Sequence, residues 1–176
     1  MNDNTNPSLI RTIQNITEKV DWAERSHARM IESIQNKDAT GVQDHFWSFL
    51  HASQLLWFYV GGHFKFMGAN VGSAKAFVQD WETSALDEDE KAIWKAVNDL
   101  RTSDVHVEPV VTEEKPETRI LMRDGKILIS EGKILCRTTI EYFVIVNDKG
   151  VPCQEIASRW IGLARRMIEH LLKNPP

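Results

Sequence analysis

The sequence is poor in the residues that mark specialised chain classes. Two cysteines in 176 residues, Cys136 and Cys153, exclude a disulfide framework and read as buried or free thiols in a reducing cytoplasm. Nine glycines and six prolines exclude collagen-like and low-complexity chains. Met1 to Pro7 is polar, without the basic and apolar regions of a secretory leader. The longest apolar stretch, Phe46 to Phe66, is broken by His51, Ser53, Gln54, Gly61, Gly62, His63 and Lys65, too polar to span a bilayer comfortably. No charge of one sign dominates: 21 basic against 25 acidic residues give −4, with no global pull toward nucleic acid, although a local basic patch stays open. Several reaction signatures are missing as well. There is no His-Glu-x-x-His, no Cys-x-x-Cys and no Gly-x-Ser-x-Gly. Gly61-Gly62 and the run Gly68 to Ser73 precede a helix, but no strand leads into them and no Lys-Ser/Thr follows, which argues against a nucleotide loop.

What remains is an ordinary globular composition, 42% apolar and 26% charged, and a length that suits one domain over residues 1–176. Leu9, Ile13, Ile16, Val20, Ala23, His27, Met30 and Ile34 alternate steps of three and four, which predicts an amphipathic helix over 8–36 with Ser8 as its cap. A turn over 36–41 leads to a second helix over about 42–65. Phe46, Trp47, Phe49, Leu50 and Leu55 to Val60 cover nearly its whole circumference, so a buried central helix is expected. Gly61-Gly62 would loosen its end or admit a close neighbour. The short turn predicts antiparallel packing of the two helices, with His27 buried against the aromatics of the second. A third helix is expected over 73–85. A fourth starts at the acidic run Asp87 to Glu90 and ends near Asp104, before Pro109.

Beyond it, Val110 to Thr118 reads as an acidic loop. Arg119 to Asn147 then alternates in the strand manner, with turn signals at Asp124-Gly125 and Glu131-Gly132 and Cys136 on an inward face. Asp148-Lys149-Gly150 ends the last strand, and Pro152 opens a closing helix over 152–173. The expected fold class is α+β, mainly α: a bundle of four to five helices, its first part over 8–106, with a three-stranded antiparallel β-meander over 118–147 inserted before the last helix.

The chemistry-bearing candidate is Leu100-Arg101-Thr102-Ser103-Asp104-Val105-His106. A histidine near its working pKa moves a proton to or from a ribose hydroxyl or leaving oxygen. An arginine fork holds a phosphate and offsets transition-state charge. The segment resembles the Arg-x4–6-His motif of the HEPN superfamily. That resemblance implies a small helical bundle, often a metal-independent endoribonuclease of toxin–antitoxin or antiviral defence systems, with RNA as substrate, a homodimer around one cleft and a cognate protein partner. By that resemblance His106 is the general acid/base and Arg101 the phosphate clamp, with Asp104 orienting His106 or capping the helix. A second match, Arg165 to His170, sits inside a regular helix, where five residues rotate positions by about 140°. Arg101 and His106 are expected to straddle a helix end and so to converge. Arg25, Arg29, Arg159, Arg165 and Arg166 are candidates for a basic rim.

No metal or cofactor is expected, since no two of the six histidines have helical ligand spacing. Two rival readings stand beside the nuclease. One is a non-catalytic protein–protein interaction module, which a patch of exposed aromatics would favour. The other is a metal- or small-molecule-binding bundle lined by His27, His51 and His63. A cytoplasmic location without membrane association is the expectation from the cysteine usage and the polar first residues.

Overall fold

The computed structural model describes residues 7–106, 113–120, 122–123, 126–127, 129–130, 133–134, 136–146 and 149–176, with side chains for 11–70, 72–100, 143 and 151–176. It is mainly helical, with α1 (Pro7–Gln35), α2 (Ala39–Phe66), α3 (Val71–Ala85), α4 (Glu88–His106) and α5 (Cys153–Lys173). Each helix lies within a few residues of its expected span. α1 begins at Pro7, a residue suited to a first helical turn, so Ser8 falls inside the helix and not at its cap. Its end closes through Asp38 N–H to Ser33 C=O at 2.9 Å and Lys37 N–H to Ile34 C=O at 3.2 Å, with Lys37 left-handed at φ 56°. Asp38 then caps α2, its carboxylate accepting from the Gly41 amide at 2.9 Å.

The Gly61-Gly62 pair does not end α2. The helix runs on to Phe66 and closes at Gly68, φ 81°, where the Gly68 amide bonds Lys65 C=O and the Ala69 amide bonds Phe64 C=O. Asn70 caps α3 by accepting from the Ser73 amide at 2.9 Å. A reciprocal box starts α4: the Glu90 amide donates to Asp87 Oδ1 at 2.8 Å and the Asp87 amide to Glu90 Oε2 at 3.2 Å.

α1 and α2 pack antiparallel, as the short turn predicts. Thr12 meets His63, Lys19 meets Tyr59, Trp22 meets His51, and Ser26 meets Ser48. A tryptophan cluster joins α2, α3, α4 and α5. Trp94 stacks on Trp160 with centroids 5.6 Å apart, meets Trp81 edge-on at 5.1 Å, and tilts against Trp57 at 6.0 Å. Phe49 closes on Trp160 edge-on at 5.4 Å. The Trp94 indole N–H donates to Glu82 and the Trp57 indole to Asn98, so two polar handles inside this cluster are matched. No helix among the described residues is long and apolar enough to cross a membrane.

The chain between α4 and α5 does not form the expected three-stranded meander. β1 (Glu113–Ile120) starts inside the stretch read as a loop and pairs directly with β6 (Cys136–Val146), from Glu113 opposite Phe143 to Ile120 opposite Cys136. β7 (Lys149–Pro152) returns along the other side of β6, where the sequence signalled an end. β6 is therefore central and β1 an edge strand, where Pro116 lacks no necessary donor. Between them, the described residues form two short pairs, β2 (Met122–Arg123) with β3 (Lys126–Ile127) and β4 (Ile129–Ser130) with β5 (Lys133–Ile134). The expected turns at Asp124-Gly125 and Glu131-Gly132 and the inward face of Cys136 lie outside the described residues and side chains.

α2 departs most from expectation. Val42, Phe46, Phe49, Leu50, Leu56, Val60 and Phe64 are buried, but Phe58 is 68% exposed and Phe66 47%. The helix is apolar all round yet buried only on one side, because α1, α3, α4 and α5 cover one arc of it.

Candidate functional site

The backbone of the Arg101–His106 segment is helical throughout, because α4 continues two residues past Asp104 and ends at His106. Arg101, Asp104 and His106 thus occupy one helix, and the expected break between Arg101 and His106 is absent. Positions five apart on a continuous helix are rotated by about 140°. The side chains of these three residues lie outside the described set. His106 is the terminal helical residue, where the C-terminal end of the helix dipole favours a cation.

The expected basic rim on α5 is largely consumed. Arg165 bridges Glu24 at 2.7 Å and Asp21 at 3.5 Å, tying α5 to α1. Its hydrogen bond holds the Glu24 carboxyl below the usual range. Arg166 bonds Glu90 and donates to Ala85 C=O at 2.6 Å, while Arg159 reaches Glu155 at 3.7 Å. Arg25 and Arg29 on α1 are exposed.

The three histidines proposed for a metal cavity do not converge. His27 is half-buried, short of the full burial expected of it; burial lowers its pKa, and the nearby main chain of Gln154 at the start of α5 partly opposes that. His51 is exposed and edge-on to Trp22, centroids 5.6 Å apart. His63 is 1% exposed, with Nδ1 2.9 Å from Thr12 Oγ1, and desolvation lowers its pKa too. No cluster of three or more candidate ligands occurs among the described residues. Cys153 is a packing thiol, its pKa pushed up to about 12 by burial.

A site the sequence reading missed lies on the outer face of α2 where it meets α1. Thr12 and Asn15 of α1 and Phe58, Tyr59, Gly62, His63 and Phe66 of α2 line a groove of about 360 Å³. Phe58, Gly62 and Phe66 are one helical turn apart, so two exposed phenyl rings flank a position with no side chain. A Cβ at Gly61 or Gly62 would meet no atom within 4 Å, so no neighbour among the described residues approaches the pair. His63 forms part of the groove's floor, and Lys19 lies over the Tyr59 ring at 4.7 Å. The signal available in the sequence was the glycine pair inside an otherwise continuous apolar helix.

Comparison with protein-family models, curated proteins and solved structures finds no match to this chain.

Proposed function

We propose that the chain is a HEPN-like, metal-independent endoribonuclease acting through Arg101 and His106. The observation that carries this reading is the Arg-x4-His motif in the last turns of a long helix within a bundle of mainly α architecture. His106 at the helix end exchanges the proton of the attacking 2′-hydroxyl or the leaving oxygen, and Arg101 stabilises the phosphorane charge. Because α4 is continuous between them, Arg101 and His106 of one chain diverge, and a shared cleft takes its arginine from one protomer and its histidine from the other. Asp104 and His106 are two positions apart on the same helix, about 200° round it, so an orienting role for Asp104 also requires the second protomer. A homodimer is therefore part of the mechanism.

Cleavage in EDTA is the test. Wild-type protein is expected to cut RNA but not DNA and to leave a 2′,3′-cyclic phosphate or its hydrolysis product. His106→Ala is expected to lose about 10²–10⁴-fold in rate, and Arg101→Ala about 10²–10³-fold. Mixing the two inactive variants should restore part of the activity if the cleft is built in trans. Loss of wild-type cleavage in EDTA, full activity in His106→Ala, or a monomer by light scattering at micromolar concentration rejects the mechanism.

A second reading has its own observation. Phe58, Tyr59 and Phe66 are exposed along one groove on α2, as a non-catalytic interaction module requires. A protein inert toward RNA that still binds through this face is the outcome that selects it.

A further inference from the structure

We propose that the α1–α2 groove is a binding site for a planar aromatic ligand carrying one anionic group. The inference uses none of the α4 residues and stands apart from the nuclease reading. Its geometry starts from spacing: Phe58 and Phe66 are eight residues apart, about 12 Å along the axis, with Gly62 midway. That interval accommodates a single or fused ring system lying over the bare Gly62 backbone between two phenyl walls. The lining is mostly apolar, with a few polar groups that set orientation, the usual make-up of a small-molecule site.

Those polar groups are specific. His63 is almost wholly buried and lines the groove, and its one hydrogen bond among the described residues ties Nδ1 to Thr12, leaving Nε2 for a ligand. With burial disfavouring the imidazolium, the ring is neutral near pH 7 and meets the polar edge of a heterocycle or a hydroxyl, not a charge. Asn15 lines the same groove and makes no side-chain hydrogen bond among the described residues. Charge comes from the rim. Lys19 has no carboxylate partner among the described residues; its ammonium rests on the face of Tyr59, itself a lining residue. Exposed Arg11 is one helical turn from Asn15 on α1 and exposed Lys65 three positions from Gly62 on α2, while exposed Glu18, three positions from Asn15, is an acid on the same stretch of α1. A chain of net charge −4 thus places a cationic edge on an aromatic groove, which selects an anionic substituent over a cationic or neutral one.

The test is calorimetric titration of the full chain with indole-3-acetate and adenosine 5′-monophosphate, beside indole, adenosine and inorganic phosphate as partial ligands. At least one of the two complete probes is expected to bind saturably, at least tenfold tighter than its uncharged counterpart, with the Gly61 and Gly62 amide resonances shifting in ¹⁵N spectra. Lys19→Gln is expected to weaken the complete probe about tenfold, the loss of one charge-assisted contact, and to leave the uncharged counterpart unchanged. Gly62→Leu is expected to abolish binding while leaving the helical circular dichroism unchanged, since a Cβ there meets nothing. The proposal is overturned if neither complete probe binds at millimolar concentration, if phosphate alone binds as well, or if binding survives Gly62→Leu. RNA cleavage by these variants reports separately on the α4 site.

Discussion

The Gly61-Gly62 pair offers a direct measurement of what the groove costs the fold. Glycine inside a helix is less favourable than alanine by about 0.8–1.0 kcal/mol, mostly because the unfolded chain gains freedom. The penalty is offset in many proteins by a close backbone approach, but here a Cβ at either position would have no heavy-atom neighbour within 4 Å. Both positions precede the closing turn of a helix whose end is sealed at Gly68, so end fraying does not dilute the effect. Successive residues do not face each other on a helix, so the two gains add. The double variant Gly61→Ala/Gly62→Ala is therefore expected to be more stable by about 2 kcal/mol, which for a chain of this length raises Tm by about 4–8 °C. Urea denaturation should show a higher midpoint at unchanged slope. A neutral or destabilised double variant would mean that the space above the pair is occupied, and would refute the account of an open groove.

Lys37 holds a left-handed conformation at the end of α1, so Lys37→Gly is expected to stabilise by about 1 kcal/mol; a loss in the same urea experiment contradicts the assignment. Trp160 stacks on Trp94 and meets Phe49, and Trp160→Ala should cost about 3–5 kcal/mol; a cost under about 1 kcal/mol would show that the cluster is not the core. His27 and His63 have lowered pKa values, so the unfolded chain takes up protons before the folded one does. Stability should be full above about pH 6.5 and fall as pH drops below it, with a shallower fall in His63→Gln; a flat profile between pH 7.5 and 5.5 rejects this.

Helical periodicity carried most of the bundle. The three-four spacing of α1, the acidic start of α4 and the stripe on α5 each mark a one-sided apolar face, and one-sided patterns need only local information. The β region was read less well, because strand pairing depends on partners distant in sequence. Nothing local announces that Ile120 lies opposite Cys136, or that Lys149–Pro152 turns back along β6. The end of α4 went astray for a related reason: Pro109 limits where a helix can continue but not where it stops, and two further residues keep Arg101 and His106 on one continuous rod. At the groove the failure was of another kind. Hydrophobicity all round a helix was equated with burial all round, whereas Phe58 and Phe66 show that sequence pattern limits which faces avoid water without saying how many neighbours the fold supplies.

The two glycines are separable, and their separation decides whether the groove accounts for the pair. Gly62 lies between Phe58 and Phe66 and lines the groove, while Gly61, half-buried and a hundred degrees round the helix, is not among the lining residues. Gly61→Ala should then bring its share of stability, about 1 kcal/mol, with ligand affinity unchanged. Gly62→Leu should bring a comparable gain, because leucine is also a good helix former and its Cβ meets nothing, but its side chain fills the space over the backbone and excludes a ring. Stability and binding are thus expected to move together at neither position: one variant is more stable and binds, the other is more stable and does not. Equal loss of binding in both variants would place the ligand elsewhere on α2. Equal retention would leave Gly62 as a helix defect with no function in the groove, and the phenyl pair as an ordinary exposed surface.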